Sequence, residues 1–428
     1  MPGPRDFDFL IVGGGLAAAS AVDGIRQVNP VGSIALVTEE SEPPYQRPPL
    51  SKEFLQYPDL PRSLLYVKPE GWFGEQENVE LVTRQKVLVL DPAAMTVTTA
   101  RGNVFRATRI LLATGGRARR LDLPGHDLEG IFTLRNVEDS ETIREAAFTG
   151  SRAALIGAGF VGMELAASLT SHEVASTVVE TLERVWARVL PPELSEWMRG
   201  HYERKGVAFR LGSPVEQFVG RDRVKGVMVG GESIPCDLVV VGIGMDPCDG
   251  IAADAGLAVA DGIRVDAFGE TSHAHIYAAG DVARFPDPVF GGHTRVEHWE
   301  HAREHGRLVG RNMAGERKPY EMLSYFFSRV FDLSLNAVGR PAQSDETVVW
   351  GEPGNGPCAA FSVSGGRLSG IVLLDAPAEL EAARTLVRAR PSAAMLDDTS
   401  GRGTVSLAGL ADSAMRHGTS GPIGDSNE

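Results

Sequence analysis

A chain of 428 residues is long enough for roughly three domains of ordinary size. Its net charge of −14 argues against nucleic acid or an anionic membrane as the main partner, because both would repel it. No stretch approaches the ~18 apolar residues of a membrane span, and the N-terminus lacks the basic region of a signal peptide. These features predict a cytoplasmic protein.

The first predicted unit is a strand, a glycine turn and a helix at the N-terminus. FDFLIV precedes Gly13 and Gly15, Ala18 stands where a third glycine is usual, and the next strand ends in Glu39. The first glycine permits a tight turn, and the second lets the backbone approach a pyrophosphate. The acid accepts hydrogen bonds from a ribose diol. The segment therefore predicts a dinucleotide-binding βαβ unit.

A second unit of the same kind follows later in the chain. AALI precedes Gly157, Gly159 and Gly162, and the following strand ends in Glu180. One such glycine pattern is weak evidence, whereas two complete units are hard to obtain by chance. The repeat predicts two parallel-sheet domains that bind two dinucleotides at once, which means electron transfer between them.

The remaining elements are predicted from apolar patterns. CDLVVVGIGMDP and HAHIYAAGD are expected as strands, and a helix is expected from about His298 to Met313. From Tyr320 onward, short strands and one helix near 378–390 predict a small α+β domain. Residues 398–428 are rich in Ser, Gly, Thr and Asp, and we expect them to be disordered.

The three cysteines exclude one kind of redox chemistry. Cys236, Cys248 and Cys358 are far apart in the sequence. Flavoproteins that reduce disulfides need a close, exchangeable cysteine pair. Electrons must therefore leave by another route, and the cysteines are expected to be small buried apolar residues.

Several segments together resemble the FAD-dependent pyridine-nucleotide oxidoreductases of the ferredoxin-reductase, apoptosis-inducing-factor and monodehydroascorbate-reductase branch. They are IVGGGLAA, PYQRPPLSK, LLATGGRARR, LIGAGFVGMELA, YAAGD and RVEHWEHAREHGRLVG. The resemblance implies an α/β fold with two Rossmann-like dinucleotide-binding domains, for FAD and NAD, and a small α+β C-terminal domain. The implied boundaries are 1–118 and 246–320 for the FAD domain, 119–245 for the NAD domain and 321–397 for the C-terminal domain.

The resemblance also implies which residues contact the cofactors. Arg47 and Arg119 suit the FAD pyrophosphate, because a guanidinium can hold two oxygens in one plane. Asp281 suits a hydroxyl of the ribityl chain. Further implied cofactor contacts are Gly13, Gly15, Ala18, Glu39, Lys52, Val87, Thr114, Gly115, Gly157, Gly159, Gly162, Gly244, Glu297, His298 and Phe327.

Two residues are singled out for chemistry by the resemblance. In similar proteins the lysine that corresponds to Lys52 reaches flavin N5 and pairs with the glutamate that corresponds to Glu164. A cation there stabilises the negative charge of the reduced flavin. The alternative is a surface lysine and a glutamate stabilised by a helix dipole. Phe160 would cover the flavin until nicotinamide displaces it, or would simply pack.

Glu180 decides the choice of nicotinamide cofactor. A carboxylate bonds the 2′,3′-diol of NADH and repels the 2′-phosphate of NADPH, so NADH is predicted. Arg184 and Arg188 could in principle recruit that phosphate. The resemblance of VWARVLPPE to relatives instead assigns Arg188 to the NAD phosphate or ribose.

The segment that starts the helix near residue 298 has two interpretations. His301 and His305 are four residues apart on a helix, as in some metal sites. Nothing else in the chain completes a coordination sphere, so no metal site is predicted. The resemblance places the segment along the flavin, with Glu297 and Trp299 beside the nicotinamide.

The leading functional prediction is an NADH-dependent FAD reductase, a monomer or homodimer, that passes single electrons to a ferredoxin-type iron–sulfur protein. A small radical or quinone is the alternative acceptor, because SRVFDLS resembles monodehydroascorbate reductases, whereas ferredoxin reductases tend to carry Trp-Ser-Asp there. A third alternative is an NADH-responsive interaction protein like apoptosis-inducing factor. Arg303, Arg307 and Arg311 are spaced i, i+4, i+8 and would form a positive stripe for an acidic ferredoxin, or an ordinary solvated helix face.

Overall fold

The computed structural model describes residues 3–397 and 406–417. Internal contacts divide the chain into two compact units. Unit 1 comprises Met1–Arg119, Arg135–Glu138 and Gly244–Met322. Unit 2 comprises Arg120–Leu134, Asp139–Ile243 and Leu323–Glu428. Each unit contains one of the two predicted glycine turns.

The first part of unit 1 is a mainly parallel sheet with one long helix. Strand β1 pairs in parallel with β2 and with β6, and β2 pairs in parallel with β3, while β5 pairs antiparallel with β4 and with the start of β6. The elements are β1 (Arg5–Val12), α1 (Leu16–Val28), β2 (Ile34–Val37), α2 (Glu53–Gln56), α3 (Trp72–Glu75), β3 (Val79–Val82), β4 (Val87–Asp91), β5 (Thr96–Thr99), β6 (Val104–Leu112) and β7 (Gly116–Ala118).

Each face of this sheet carries its own core. Because successive side chains of a strand alternate, Leu10 and Val12 join one apolar cluster, and Phe9 and Ile11 join the other. A parallel strand that is covered on both faces has a continuous apolar sequence, which explains the buried run FLIV at the end of β1.

The central part of unit 2 repeats this plan. Its five-stranded sheet has the order β11-β10-β9-β15-β8, with every pairing parallel, and a separate antiparallel sheet joins β12, β13 and β14. The elements are β8 (Ile131–Thr133), α4 (Val137–Ala146), β9 (Arg152–Ile156), α5 (Phe160–Thr170), β10 (Ala175–Val179), α6 (Pro192–Arg204), β11 (Ala208–Arg210), β12 (Val215–Gly220), β13 (Val224–Val229), β14 (Glu232–Pro235) and β15 (Leu238–Val241).

The chain then returns to unit 1. The predicted strand in HAHIYAAGD pairs in parallel with the end of β6 and extends the first sheet. The elements are β16 (Met245–Pro247), α7 (Gly250–Asp254), β17 (Ile263–Arg264), β18 (Ile276–Ala278), β19 (Ala283–Pro286), β20 (His293–Thr294) and α8 (Trp299–Met313).

Helices α1 and α8 approach each other closely through small residues. A Cβ atom on Gly306 would lie 2.2 Å from the carbonyl oxygen of Ala17, and one on Gly310 would lie 2.2 Å from that of Ala21. Residues four apart share one helix face, so the glycines form a continuous seam. The seam fixes α8, which begins with Trp299, against the helix that follows the first glycine turn.

The C-terminal part of unit 2 is an antiparallel sheet with helices. The sheet order is β21-β22-β25-β24-β23. The elements are β21 (Tyr325–Val330), β22 (Leu333–Gly339), β23 (Glu346–Trp350), β24 (Cys358–Ser364), β25 (Arg367–Leu374), α9 (Leu380–Ala389), α10 (Ala393–Asp397) and α11 (Ala408–His417). The predicted fold class is confirmed.

The expectation of disorder over residues 398–428 is wrong for α11. Leu407, Leu410, Ala411 and Ala414 are buried, and they recur at helical spacing within a polar composition. Glu379 accepts a hydrogen bond from the Leu407 backbone N–H at 2.6 Å. Composition hid this apolar stripe. Residues 398–405 and 418–428 lie outside the described residues.

Across the residues that the structure describes, no helix is both long and apolar enough to cross a membrane.

Candidate functional site

The first glycine turn leaves open space at its second glycine. Gly13 has φ +130°, and a Cβ atom there would lie 2.1 Å from the carbonyl oxygen of Ala113, so only glycine fits. A Cβ atom on Gly15 would meet no heavy atom within 4 Å. Ala18 is fully buried, where the third glycine of the pattern would seat the helix. The backbone at Gly15 is therefore accessible to a phosphate group at the start of α1.

A network of charged side chains lies in the same unit. Glu40 accepts hydrogen bonds from Arg47 and from the Tyr45 hydroxyl, each at 2.5 Å. Arg47 also donates to the backbone carbonyl of Arg135 at 2.5 Å, and Arg135 donates to Asp281 at 3.2 Å. The structure thus brings the predicted residues Arg47 and Asp281 together through Arg135.

The charges of this network decide the protonation of its members. Burial is the largest single influence on Arg47 and would lower its pKa, but Glu40, Tyr45 and Asp281 together outweigh it, so the pKa lies above its ordinary value. Burial and the charge of Arg47 lower the pKa of Arg135. Burial raises the pKa of Tyr45, so its hydroxyl keeps its proton and donates to Glu40. The network therefore presents two guanidinium groups beside two carboxylates.

The structure does not bring Arg119 to this network. Its guanidinium pairs with Asp246 at 2.8 Å, where β7 meets β16, and both side chains are more than two-fifths exposed. Its backbone N–H donates to Gly244. Gly115, by contrast, lies beside Arg135, because a Cβ atom there would be 3.2 Å from the guanidinium.

The acid predicted at the end of β2 has a neighbour with more contacts. Glu39 is exposed and lies 3.5 Å from Lys86. Glu40, the next residue, contacts Arg47 and Tyr45. Val87 is buried in a core cluster at the start of β4.

The residues after Ala113 form a crossing of two chain segments. The Thr114 hydroxyl donates to the carbonyl of Cys248 at 2.7 Å, and the Cys248 N–H donates to the carbonyl of Gly115.

All three cysteines are free thiols, and burial raises each pKa, to about 12 for Cys236 and about 11 for Cys358. Cys236 and Cys358 are buried, as predicted, and Cys248 is partly buried. These thiols are poor nucleophiles.

The start of α8 is linked to Asp281. Arg295 donates to the backbone carbonyl of Asp281 at 3.2 Å and to the Glu297 carboxylate at 2.5 Å. His298 precedes the first turn of α8 as its N-cap residue, and Arg303 lies over the ring of Trp299 at 4.8 Å. The predicted residues Glu297, His298 and Trp299 therefore stand at one end of this helix.

His301 and His305 are core residues of the same helix. His301 Nδ1 lies 2.8 Å from the Tyr320 hydroxyl, and the Gly280 N–H donates to His305 Nδ1 at 3.3 Å. Burial lowers the pKa of His301 to about 4 and that of His305 well below its ordinary value, so both rings are neutral at physiological pH. No group of three or more potential metal ligands occurs among the residues that the structure describes.

The second glycine turn repeats the geometry of the first in unit 2. Gly157 has φ +107°, and a Cβ atom there would lie 2.5 Å from the carbonyl oxygen of Gly242. A Cβ atom on Gly162 would lie 1.9 Å from the carbonyl oxygen of Gly157, which explains the third glycine. A Cβ atom on Gly159 would meet no heavy atom within 4 Å. This turn, too, is open where a pyrophosphate would lie.

Glu180 is held at the second turn. Its carboxylate accepts hydrogen bonds from the N–H groups of Ala158 at 2.8 Å and Leu182 at 2.9 Å, and from the Thr181 hydroxyl at 2.9 Å. Arg184 donates to the carbonyl of Leu190, while Arg188 is exposed. The carboxylate is therefore oriented before any ligand arrives.

Helix α5, which follows this turn, packs against β21. The rings of Phe160 and Phe326 have centroids 3.6 Å apart. The Ser328 hydroxyl donates to Glu164 at 2.6 Å, and both side chains are buried. Phe327, on the opposite face of β21, is exposed and stacks on Tyr325.

Lys52 belongs to unit 1, where its ammonium group donates to the carbonyl of Pro48 at 3.2 Å. Glu164 belongs to unit 2, so the pairing of Lys52 with Glu164 stays a prediction.

The sequence did not predict four residues that the structure places in the charged network of unit 1 or at the contact of α5 with β21. They are Glu40, Tyr45, Arg135 and Ser328. Glu40 and Tyr45 could have been found from the sequence, because Tyr45 lies within the segment PYQRPPLSK at 44–52 and Glu40 shortly precedes it. Arg135 and Ser328 gave no local signal, since Asp281 and Glu164, the partners of their side chains, lie more than a hundred residues away in the sequence.

Comparison with known proteins agrees with this geometry. Residues 7–306 match the family described as pyridine nucleotide-disulphide oxidoreductase, and residues 325–401 match the reductase C-terminal family. A ferredoxin reductase subunit of 5,5'-dehydrodivanillate O-demethylase from Sphingobium sp. (strain NBRC 103272 / SYK-6) is 37% identical over 376 residues, which cover 86% of this chain and 89% of the relative.

Two solved structures are similar along nearly the whole chain. The reductase of the covalent putidaredoxin reductase–putidaredoxin complex has a TM-score of 0.89 and 28% identity, covering 96% of this chain and 99% of that one. The ferredoxin reductase for the CYP199A2 system from Rhodopseudomonas palustris has a TM-score of 0.88 and 34% identity, covering 94% of this chain and 100% of that one. The chain belongs to the pyridine nucleotide-disulphide oxidoreductase family, in its ferredoxin reductase branch.

Proposed function

We propose that this protein is an NADH-dependent FAD reductase that passes electrons to a small iron–sulfur protein. The observation that carries the proposal is the pair of glycine turns, one in each unit, both open at the second glycine. When bound, FAD accepts a hydride from NADH and releases the two electrons one at a time.

The residues of unit 1 fit FAD. The N–H groups at the start of α1 would hold the pyrophosphate, and Arg47 and Arg135 would neutralise part of its charge. Asp281, which Arg135 orients, would accept a hydrogen bond from a hydroxyl of the ribityl chain. We therefore assign to Arg135 the role that the sequence suggested for Arg119.

The residues of unit 2 fit NADH. Glu180 is fixed by three hydrogen bonds and would accept a further one from the adenosine ribose, while its charge would repel the 2′-phosphate of NADPH. The ring of Phe160 contacts that of Phe326 and would have to leave it in order to uncover the flavin as the resemblance implies.

An iron–sulfur acceptor is supported by the Sphingobium relative, which is named as a ferredoxin reductase subunit, and by the solved complex with putidaredoxin. We propose that the partner docks on α8. Each arginine of the predicted stripe already has an acidic neighbour, since Arg303 pairs with Glu304 at 2.7 Å and Arg311 with Glu316 at 2.7 Å. Arg307 lies 3.9 Å from Glu304. On docking, the three arginines would therefore exchange these acidic neighbours for carboxylates of the ferredoxin.

Charge reversal tests the docking surface. Arg307→Glu should slow ferredoxin reduction severalfold at low salt and remove most of its salt dependence, because steering by opposite charges is screened by ions. Arg199→Glu is the matched control, since Arg199 is also ion-paired on an exposed helix face, that of α6. Equal effects of both variants, or none, would exclude α8 as the docking surface.

A small organic acceptor is the second candidate function. Phe327 stands where ferredoxin reductases tend to carry tryptophan, and Arg329 stands where they carry aspartate. A panel of acceptors decides between the two. The purified holoprotein should reduce a [2Fe–2S] ferredoxin with a higher kcat/KM than quinones or the monodehydroascorbate radical, and the reverse order would favour the second candidate.

A further inference from the structure

Helix α5 and strand β21 are matched in spacing along their contact. On the helix, Phe160 and Glu164 are four residues apart, or about 6 Å along the axis. On the strand, their partners Phe326 and Ser328 are two residues apart, or about 6.6 Å. One alignment of the helix on the strand therefore allows both contacts, the ring pair of Phe160 with Phe326 and the hydrogen bond from Ser328 to Glu164.

The hydrogen bond is buried and charge-assisted. Ser328 is 2% exposed and Glu164 is 7% exposed. A carboxylate can only accept, so the serine hydroxyl donates, and the 2.6 Å separation of the two oxygens is typical of an O–H group on a charged acceptor. A buried carboxylate needs such donors, because burial without them is costly.

Ser328 is the polar residue on an otherwise apolar strand face. Because side chains alternate along β21, Phe326, Ser328 and Val330 share the face toward α5, while Phe327 and Arg329 are exposed on the other. An alanine would pack at this position without a polar atom. The hydrogen bond to Glu164 therefore explains why this buried position carries a hydroxyl group.

A second hydroxyl group contacts α5 beside Glu164. The Tyr202 hydroxyl donates to the backbone carbonyl of Met163, the residue before Glu164, at 3.1 Å. Burial, and after it the charge of Glu164, raises the pKa of Tyr202, so this donor keeps its proton. The backbone beside Glu164 and its carboxylate are thus each held by a hydroxyl.

We propose that Ser328 is a positioning residue for the reduction of FAD by NADH, acting through Glu164. The inference rests on the proposed function and on the part in flavin reduction that the family resemblance implies for Glu164. Ser328 fixes one carboxylate oxygen of Glu164 and so limits the orientations of this group. The C-terminal domain then contributes to the reaction through one hydroxyl, without being a source of catalytic residues itself.

The test is a double-mutant cycle on the rate of flavin reduction at saturating NADH, measured by anaerobic stopped flow. Ser328→Ala should lower this rate constant by about tenfold, as expected for a lost hydrogen bond to a charged group. The KM for NADH should change by less than about twofold, and Ser328→Thr, which keeps the hydroxyl, should restore most of the rate. In a Glu164→Gln background, Ser328→Ala should have almost no further effect.

Controls separate positioning from stability. Ser369→Ala removes another buried hydroxyl of the same sheet, one that donates to the carbonyl of Ser362, and should lower the thermal midpoint but leave the reduction rate intact. If Ser328→Ala does not retain FAD, Ser328→Cys keeps a weak donor of similar size and should give an intermediate rate.

An unchanged rate in Ser328→Ala, or an equal loss in the wild-type and Glu164→Gln backgrounds, would overturn the inference. Failure of NADH to reduce the wild-type flavin at all would instead overturn the proposed function.

Discussion

Replacement of Glu180 by alanine should reduce the preference for NADH over NADPH. A carboxylate accepts about four hydrogen bonds, and backbone and side-chain donors of this chain supply three of them. One acceptor position remains for the ribose diol. The loss of one charged hydrogen bond costs ~1.5–3 kcal/mol, so the ratio of the two kcat/KM values should fall by about 10- to 150-fold.

The assay is steady-state reduction of a common acceptor with each nucleotide, with FAD content checked for every variant. Glu183→Ala is the control, because Glu183 is an exposed acid three residues further along the chain and its loss changes the net charge equally. Glu180→Gln keeps one acceptor oxygen and should fall between wild type and alanine. A wild type that prefers NADPH, or equal effects of Glu180→Ala and Glu183→Ala, would refute the reasoning.

Four further predictions follow from the site. Arg135→Ala should weaken FAD binding by about 10- to 100-fold in fluorescence titrations of the apoprotein, while Arg119→Ala should change it by less than about threefold; the opposite order would restore Arg119 to the pyrophosphate. Lys52→Ala should slow flavin reduction at saturating NADH with FAD still bound, and an unchanged stopped-flow rate would make Lys52 a structural residue. Trp299→Ala should weaken the long-wavelength charge-transfer band in an anaerobic NADH titration, and an unaltered spectrum would place the indole away from the nicotinamide. The pKa of His301 is lowered to about 4 in the folded protein, so the unfolded chain takes up a proton at this residue first as the pH falls. The free energy of unfolding should therefore decrease by up to about 3 kcal/mol between about pH 6.5 and pH 4. Denaturant titrations should show a flatter pH dependence for His301→Gln.

The parts of the fold that local sequence encodes could be predicted. Each glycine turn is encoded by a few adjacent residues. A Cβ atom at Gly13 would collide with the carbonyl oxygen of Ala113, which explains why that residue must be glycine. The strands on either side are apolar runs because both faces of a parallel sheet are covered. The tail helix α11 was missed because a polar composition concealed a short apolar stripe.

The parts that depend on distant contacts could not be predicted. The segment Arg120–Leu134 belongs to unit 2, whereas the next four residues, Arg135–Glu138, belong to unit 1. No pattern in the sequence TLRNVED predicts this change of unit. The arginine stripe on α8 was visible as a spacing, but its neutralisation by Glu304 and Glu316 depends on side-chain directions. Charge spacing alone therefore overstated the positive potential of the helix.

The most direct test of the account is a double-mixing stopped-flow experiment under anaerobic conditions. The FAD-loaded protein is first reduced with one equivalent of NADH and is then mixed with an oxidised [2Fe–2S] ferredoxin. We predict that NADH bleaches the flavin absorbance, and that the ferredoxin restores it at a rate that rises with ferredoxin concentration while the iron–sulfur centre is reduced. A flavin that NADH reduces but that no iron–sulfur protein reoxidises, while a quinone does so rapidly, would contradict the account.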